Sequence, residues 1–194
     1  MPVITLEVVR RALDGHTGRV AHAPDARPAA VALVLIERAD GVAALFIRRA
    51  VREGDPWSGQ VALPGGRHET GDPDLLATAL RETREETGVE LGDAVRLGVL
   101  DDLHPRTPTL PPIVVRPFVF ALTAAPPLVL NDEVERAFWL PLDRLAAPGV
   151  RGDVTITVRG TELTLPAYRV GDDVIWGMTE RILTPFLELV RRRM

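Results

Sequence analysis

The stretch that most narrows what this chain can become is Gly65–Val89, GGRHETGDPDLLATALRETREETGV. A glycine pair opens it. A helix is expected from about Pro73 to Thr87, with Gly88 as its stop. Asp72 is the expected N-cap and Pro73 the first helical residue. At roughly 100° per residue, Glu82, Glu85 and Glu86 fall within about 100° of one another. Leu76, Ala79, Leu80, Thr83 and Thr87 form the adjoining face, which should pack on a sheet. Like charges at i, i+3 and i+4 repel, so something must neutralise the three carboxylates. The ordinary reading of such a run is a solvated acidic face relieved by Arg81 and Arg84. Two features argue for more. The glycine pair reads as a turn that lets backbone atoms approach a ligand closely, and Glu69 adds a fourth acid in that turn. Hard carboxylate and carbonyl oxygens suit Mg²⁺ or Mn²⁺, and Mg²⁺ completes its coordination with water and substrate phosphates. The residues therefore point to a divalent-metal site that acts on a phosphate.

Composition limits the alternatives. A chain of 194 residues is one domain's worth, residues 1–194, and can bury a core without staples. A net charge of −4 provides no global field for nucleic acid or an acidic membrane, so neither is an expected partner. The chain has no cysteine, which excludes disulfides, zinc–thiolate sites and cysteine nucleophiles and fits a cytoplasmic protein. All 23 basic residues are arginine. A Walker-type or Schiff-base lysine is therefore excluded, and any activating or phosphate-binding cation must be Arg, His or a metal. No apolar run approaches a membrane span, and the N-terminus, with Glu7 and Arg10–Arg11 inside it, reads as an amphipathic helix and not a signal peptide.

Along the chain, residues 4–14 read as a helix and 16–28 as loop. Ala30–Glu37 and Val42–Arg48 read as a β-hairpin. Gln60–Leu63 and Val95–Leu100 read as short strands, and residues 101–112 as a proline-rich loop of the kind that often carries function. Ile113–Leu122 is a strong strand in which Pro117 points to an edge or a bulge. Glu133–Leu140 is mixed strand and loop, and Leu142–Ala146 a helical turn. Val154–Val158 and Leu163–Tyr168 form a second hairpin. A final helix at about 177–193 buries Ile182, Leu183, Phe186, Leu187 and Val190. The mixture is of the α/β class.

The 65–89 stretch resembles the Nudix box, G-x5-E-x7-R-E-U-x-E-E-x-G-U with U a bulky apolar residue. Gly66 stands at the first glycine and Arg81–Val89, RETREETGV, at the helical half, with Thr83 at a U position. Asp72 replaces the upstream glutamate, and eight residues, not seven, separate it from Arg81. The flanks LFIRRA (45–50), SGQVALPGGR (58–67), TALRE (78–82) and IWGMTERIL (175–183) resemble the coenzyme A pyrophosphatase branch of that family. Gly54 stands where the branch pattern has Arg, Leu63 where it has Phe, and the interval from Ala50 to Gly59 is one residue longer.

The resemblance implies a Nudix fold, a mixed β-sheet sandwiched between α-helices. It implies a Mg²⁺- or Mn²⁺-dependent pyrophosphohydrolase that acts on a small-molecule nucleotide, in the first instance coenzyme A or its thioesters. An ADP-ribose or nucleotide-sugar diphosphatase is the alternative within the enzyme class. A non-catalytic nucleotide-binding module on the same scaffold is the alternative outside it, and such modules should have lost metal-binding acids that this chain retains. Many relatives are dimers, which implies a homodimer. Glu82 and Glu86 are the implied metal ligands, joined by Glu85, a main-chain carbonyl at Gly65 or Gly66, and Glu69 when more than one metal binds. Arg81 is expected to orient Glu85 by an i, i+4 ion pair. Arg48, Arg49 and Arg67 are candidates for gripping phosphate. Arg48 and Arg49 should face opposite sides of their strand, so one of them is a bystander. Trp57, in a polar loop, is the candidate for stacking on a base, while Trp139 is expected in the core. The general base is Glu82 or a later acid among Asp101, Asp102, Glu133 and Glu135. His68 and His104 sit in the site loops, and the mechanism requires neither. The 101–112 loop is the expected substrate selector.

Overall fold

The structure, a computed structural model, describes residues 3–53, 58–105, 111–158 and 160–194. In chain order the elements begin with α1 (Leu6–Leu13) and the hairpin β1 (Arg27–Arg38) and β2 (Gly41–Arg49). The short strands β3 (Val61–Ala62) and β4 (Gly65–Arg67) follow, then α2 (Leu75–Thr87), β5 (Val95–Val99) and β6 (Ile113–Leu122). The second half holds β7 (Val134–Pro141), α3 (Leu142–Ala146), β8 (Arg151–Val158), β9 (Thr161–Val170), β10 (Asp173–Trp176) and α4 (Gly177–Arg191).

Strand β1 organises the main, mixed sheet. Along one edge it runs parallel to β6, from Arg27↔Ile113 to Ile36↔Leu122. Along its other edge it pairs antiparallel with β4 at Ala29–Val31 and with β2 at Leu35–Arg38. The hairpin is therefore forked. Past Leu35 and Ala44 the two strands part, β3 pairs with β2 at Ile47 and Arg48, and β4 pairs with β1. β7 covers the far edge of β2, and β5 the far edge of β6. A separate three-stranded antiparallel sheet runs β10-β9-β8.

Both faces of the main sheet are covered, which is why β1 and β6 read as near-continuous apolar runs. Alternation divides their side chains. Ala29, Leu33, Leu35, Val115 and Val119 join the core that includes Val9 and Leu13 of α1 and Leu183 and Phe186 of α4. Ala30, Ala32, Val34, Phe118 and Phe120 join the core with Ala79 of α2, against which Trp139 packs half-buried. The result is the α/β sandwich that the resemblance implies.

Three sequence expectations change and one strand is added. Helix α2 starts at Leu75, and Asp74, not Asp72, caps it by accepting from Ala77 N at 2.8 Å. The glycine pair lies in strand β4 and not in a turn. β10 carries no pattern long enough to read in advance. Pro117 lies in the sheet interior opposite Val31, not at an edge. Its carbonyl accepts from Leu100 N at 2.9 Å, just beyond the end of β5. The amide that proline lacks faces that same side, where the regular ladder has already stopped. Among the described residues no helix is long and apolar enough to cross a membrane.

Candidate active site

Helix α2 lies with Thr78, Ala79, Thr83, Glu86 and Thr87 buried. Threonine can replace an apolar residue at positions 83 and 87 because each hydroxyl donates to the carbonyl four residues back, Ala79 O at 2.7 Å and Thr83 O at 2.6 Å. Gly88 closes the helix with φ of 71°, in the left-handed region.

Glu86 is 2% exposed. Gly65 N donates to its Oε2 at 2.8 Å, and Arg49 Nη1 lies 3.5 Å from its Oε1. Burial pushes the Glu86 carboxyl up to about 8, against the pull of the Gly65 amide, and the negative charges of Glu82 and Glu133 add to the rise. Burial also raises Glu82, against the pull of Arg81. Strand β4 makes room for this pair. A methyl group on Gly66 would collide with the Glu82 carboxylate, and one on Gly65, at φ 152°, with Ala30 O and Val31 of β1.

Arg81 ties the rest together. Its Nε and Nη2 donate to the two oxygens of Asp72 at 2.9 and 3.0 Å. Its Nη1 lies 3.0 Å from both Glu82 Oε1 and Glu85 Oε2, and Nη2 also reaches Arg67 O at 3.1 Å. Asp72 further accepts from Thr78 Oγ1 at 2.8 Å and Glu69 N at 3.1 Å. The Arg81 guanidinium holds the Asp72 carboxyl well below the usual carboxylate range. Asp72 is thus the anchor of Arg81, a role its reading as a helix cap had hidden.

A cleft of about 410 Å³ opens between the forked strands, α2 and α4. Glu82, Glu86, Gly65, Gly66, Arg49 and Arg67 line it, and so does Glu133, which precedes β7. Arg48 does not. It faces Glu135 at 3.7 Å and Asp173 at 3.5 Å, so alternation along β2 sends Arg49 to the cleft and Arg48 away from it. Glu69 and Glu85 are exposed beside the cleft and do not line it. Of the later acids, Asp102 is held by Arg116 through two bonds of 2.8 Å and Asp101 by Arg19, both lining a separate cavity. His68 Nδ1 lies 3.0 Å from Thr78 Oγ1, behind the site. Trp57 and residues 106–110 of the 101–112 loop lie outside the described residues. Sequence reasoning missed the contribution of α4, whose Met178, Thr179 and Ile182 complete the cleft wall. No local pattern announces a contact between elements 90 residues apart in the chain.

Among the described residues, no three acidic or imidazole side chains converge as a ready-made metal cage. Buried Glu86 and half-buried Glu82, with a backbone that leaves Glu82 unobstructed, nonetheless make a hard-oxygen donor pair of the kind that Mg²⁺ completes with water and phosphate.

Comparison with known proteins identifies the family. Residues 26–158 match the NUDIX domain family. The chain is 34% identical over 186 residues, 93% of its length, to the human protein named mitochondrial coenzyme A diphosphatase NUDT8, and spans 76% of that protein. The uncharacterized Nudix hydrolase NudL of Photorhabdus laumondii is 30% identical over 135 residues, 69% of this chain and 70% of its own. A solved MutT/nudix family protein from Enterococcus faecalis shares the fold, with a TM-score of 0.59 and 23% identity over 88% of this chain and 64% of its own.

Proposed function

The chain belongs to the Nudix family of pyrophosphohydrolases, and we propose that its substrate is coenzyme A or one of its thioesters. The observation that carries this substrate is the likeness to the human coenzyme A diphosphatase across nearly the whole chain, beyond the box itself. In the proposed reaction, water attacks one phosphorus of the diphosphate. The bridging P–O bond breaks, and 3′,5′-ADP and a 4′-phosphopantetheine leave.

Nudix hydrolases depend on a divalent metal, and we assign Mg²⁺ or Mn²⁺. Glu82 and Glu86 would hold it, with the Gly66 carbonyl, water and phosphate oxygens completing the shell and Glu69 or Glu85 serving a further ion. When bound, the cation neutralises phosphate oxygens and acidifies the attacking water. The remaining roles belong to side chains. Arg49 and Arg67, which line the cleft, grip the diphosphate. Arg81, fixed by Asp72, keeps Glu82 and Glu85 in place. Glu133 is the late acid that faces the cleft, so we assign it the proton of the attacking water. Arg52 Nη1 steadies it at 3.0 Å. A cysteine-free chain suits a reducing compartment, and we propose the cytoplasm. The dimeric state is testable by sedimentation.

The test is a panel of coenzyme A, acetyl-coenzyme A, ADP-ribose, NADH, dinucleoside polyphosphates and NTPs, each with Mg²⁺ and with Mn²⁺, read by mass spectrometry of the products. Release of 3′,5′-ADP from coenzyme A, with other substrates poor, is the expected result. Preference for ADP-ribose would overturn the substrate and leave the family standing. No cleavage of any substrate would favour a binding module.

A further inference from the structure

The cleft has two chemically different halves. One presents Arg49, Arg67, Glu82, Glu86 and Glu133. The other, apart from Gln60 and Thr179, is aliphatic: Val31, Leu63, Ile113 and Val115 from the sheet and its loops pack in one cluster with Met178 and Ile182 of α4. Among the described residues no aromatic ring lines it. A hydrated diphosphate gains nothing from such a wall, whereas methyl and methylene groups are stabilised by leaving water for it. A planar base is better served by aromatic stacking.

The α4 wall is held firmly. Glu180, 4% exposed, accepts from Arg151 Nε at 2.9 Å and Thr184 Oγ1 at 2.8 Å. Thr184, having given its proton to Glu180, accepts from Tyr168 OH at 2.8 Å. Arg151 and Tyr168 stand on β8 and β9, so the second sheet clamps the helix whose first turn borders the cleft. Segment 175–183, singled out by its flank resemblance, is thereby placed opposite the acids of α2.

Building on the coenzyme A reading above, we infer that the aliphatic half of the cleft receives the gem-dimethyl segment of the arm attached to the scissile diphosphate, with the arm's hydroxyl and amides beyond that wall, and that Met178 and Ile182 determine which arm is accepted. The nucleoside half of the substrate then lies away from this wall. Met178 is half-buried and Ile182 buried, so both offer methyl or thioether surface to the gem-dimethyl group and no hydrogen bond to a sugar.

Product inhibition separates the two ends of the substrate. We would measure Ki for 4′-phosphopantetheine and for 3′,5′-ADP against coenzyme A hydrolysis with Mg²⁺, in the wild type, Met178→Gln and Ile182→Val. Met178→Gln keeps an unbranched chain of similar length, and Ile182→Val removes one methylene, so a fold failure in one leaves the other readable. The expected result is a roughly tenfold weaker Ki for 4′-phosphopantetheine and a matching rise in KM in Met178→Gln, a smaller rise in Ile182→Val, and an unchanged Ki for 3′,5′-ADP with kcat little altered. Equal shifts for both products, no shift for either, or a shift confined to 3′,5′-ADP would overturn the inference. A wild type that cleaves ADP-ribose but not coenzyme A would instead show that the substrate reading itself had failed.

Discussion

Asp72 and Glu86 belong to one motif, the first just ahead of α2 and the second in its last turn, and both carboxyls are largely buried. Their carboxyls nevertheless sit in opposite electrostatic states. Asp72 receives two guanidinium bonds from Arg81, a hydroxyl bond and an amide bond, and is held far into the ionised form. Glu86 receives one amide bond and a more distant Arg49, and burial pushes it up to about 8. The first carboxylate has its countercharge built into the chain. The second has a deficit that an external cation can fill. On the proposed reading of Glu86 as a metal ligand, a structural acid and a cation-seeking acid are told apart by what is already paired with them.

Four experiments would break or sharpen that contrast. The largest effect is expected from Glu86→Gln. The amide oxygen can still accept from Gly65, so the fold should survive, while kcat falls by roughly 10²–10³-fold or more. Unaltered turnover in a folded variant would end the reading of Glu86 as a metal ligand. Asp72→Asn should act the other way round. Leaving Arg81 without its partner should lower stability by about 2–3 kcal/mol, read as an earlier thermal or urea transition, with activity reduced in proportion to the loosening of Glu82 and Glu85.

A third experiment uses pH. In chelator-treated protein the folded Glu86 carboxyl rests near 8, against about 4.3 in an unfolded chain. The folded state therefore holds this proton more tightly. The contribution of Glu86 to stability is full below about pH 4 and is lost as the pH rises through about 8. Stability of the metal-free protein should decline across that interval, and both saturating Mg²⁺ and Glu86→Gln should flatten the decline. Asp72 has the opposite sign, because its folded carboxyl is depressed. Its contribution is present above about pH 4 and disappears on further acidification, so Asp72→Asn should flatten only the acid limb. The smallest effect belongs to Arg48→Ala. Its pairs with Glu135 and Asp173 are long and partly exposed, so stability should move by less than about 1 kcal/mol and the KM not at all, whereas Arg49→Ala should raise the KM. Equal effects of the two arginines would remove the distinction between their faces.

The acids of the site were legible because helical spacing is a local property. Glu82 and Glu86 share a face of α2 whatever the rest of the chain does. The alternation of β2 likewise told that Arg48 and Arg49 diverge, but which of them reaches the cleft depends on the sheet's neighbours and could be read only from the fold. The glycine pair was misread as a turn because a residue without a side chain contributes nothing to an apolar pattern, and its pairing is made with residues far back in the chain, Gly65 with Val31 and Gly66 with Ala30. Asp72 was taken for the cap because it precedes a proline. The capping bond itself lies two residues on, at Asp74. The far wall of the cleft, on α4, had no local signal, since its first residues belong at once to a helix, a core and a binding surface.

The fork in the β1–β2 hairpin has a thermodynamic consequence. Strands that part must normally surrender main-chain hydrogen bonds to solvent, and a groove between them tends to close. Here β3 and β4 occupy the parting, and Ala32 N, which faces no residue of β2, donates to Pro64 O at 2.9 Å. The groove is therefore a resting feature of the backbone and not an excursion from it. A ligand entering it has little main chain to order, so its ordering cost falls on side chains and on the ligand itself. Amide protons at Ala32 and Gly65 should accordingly be as slow to exchange in the free protein as in the complex.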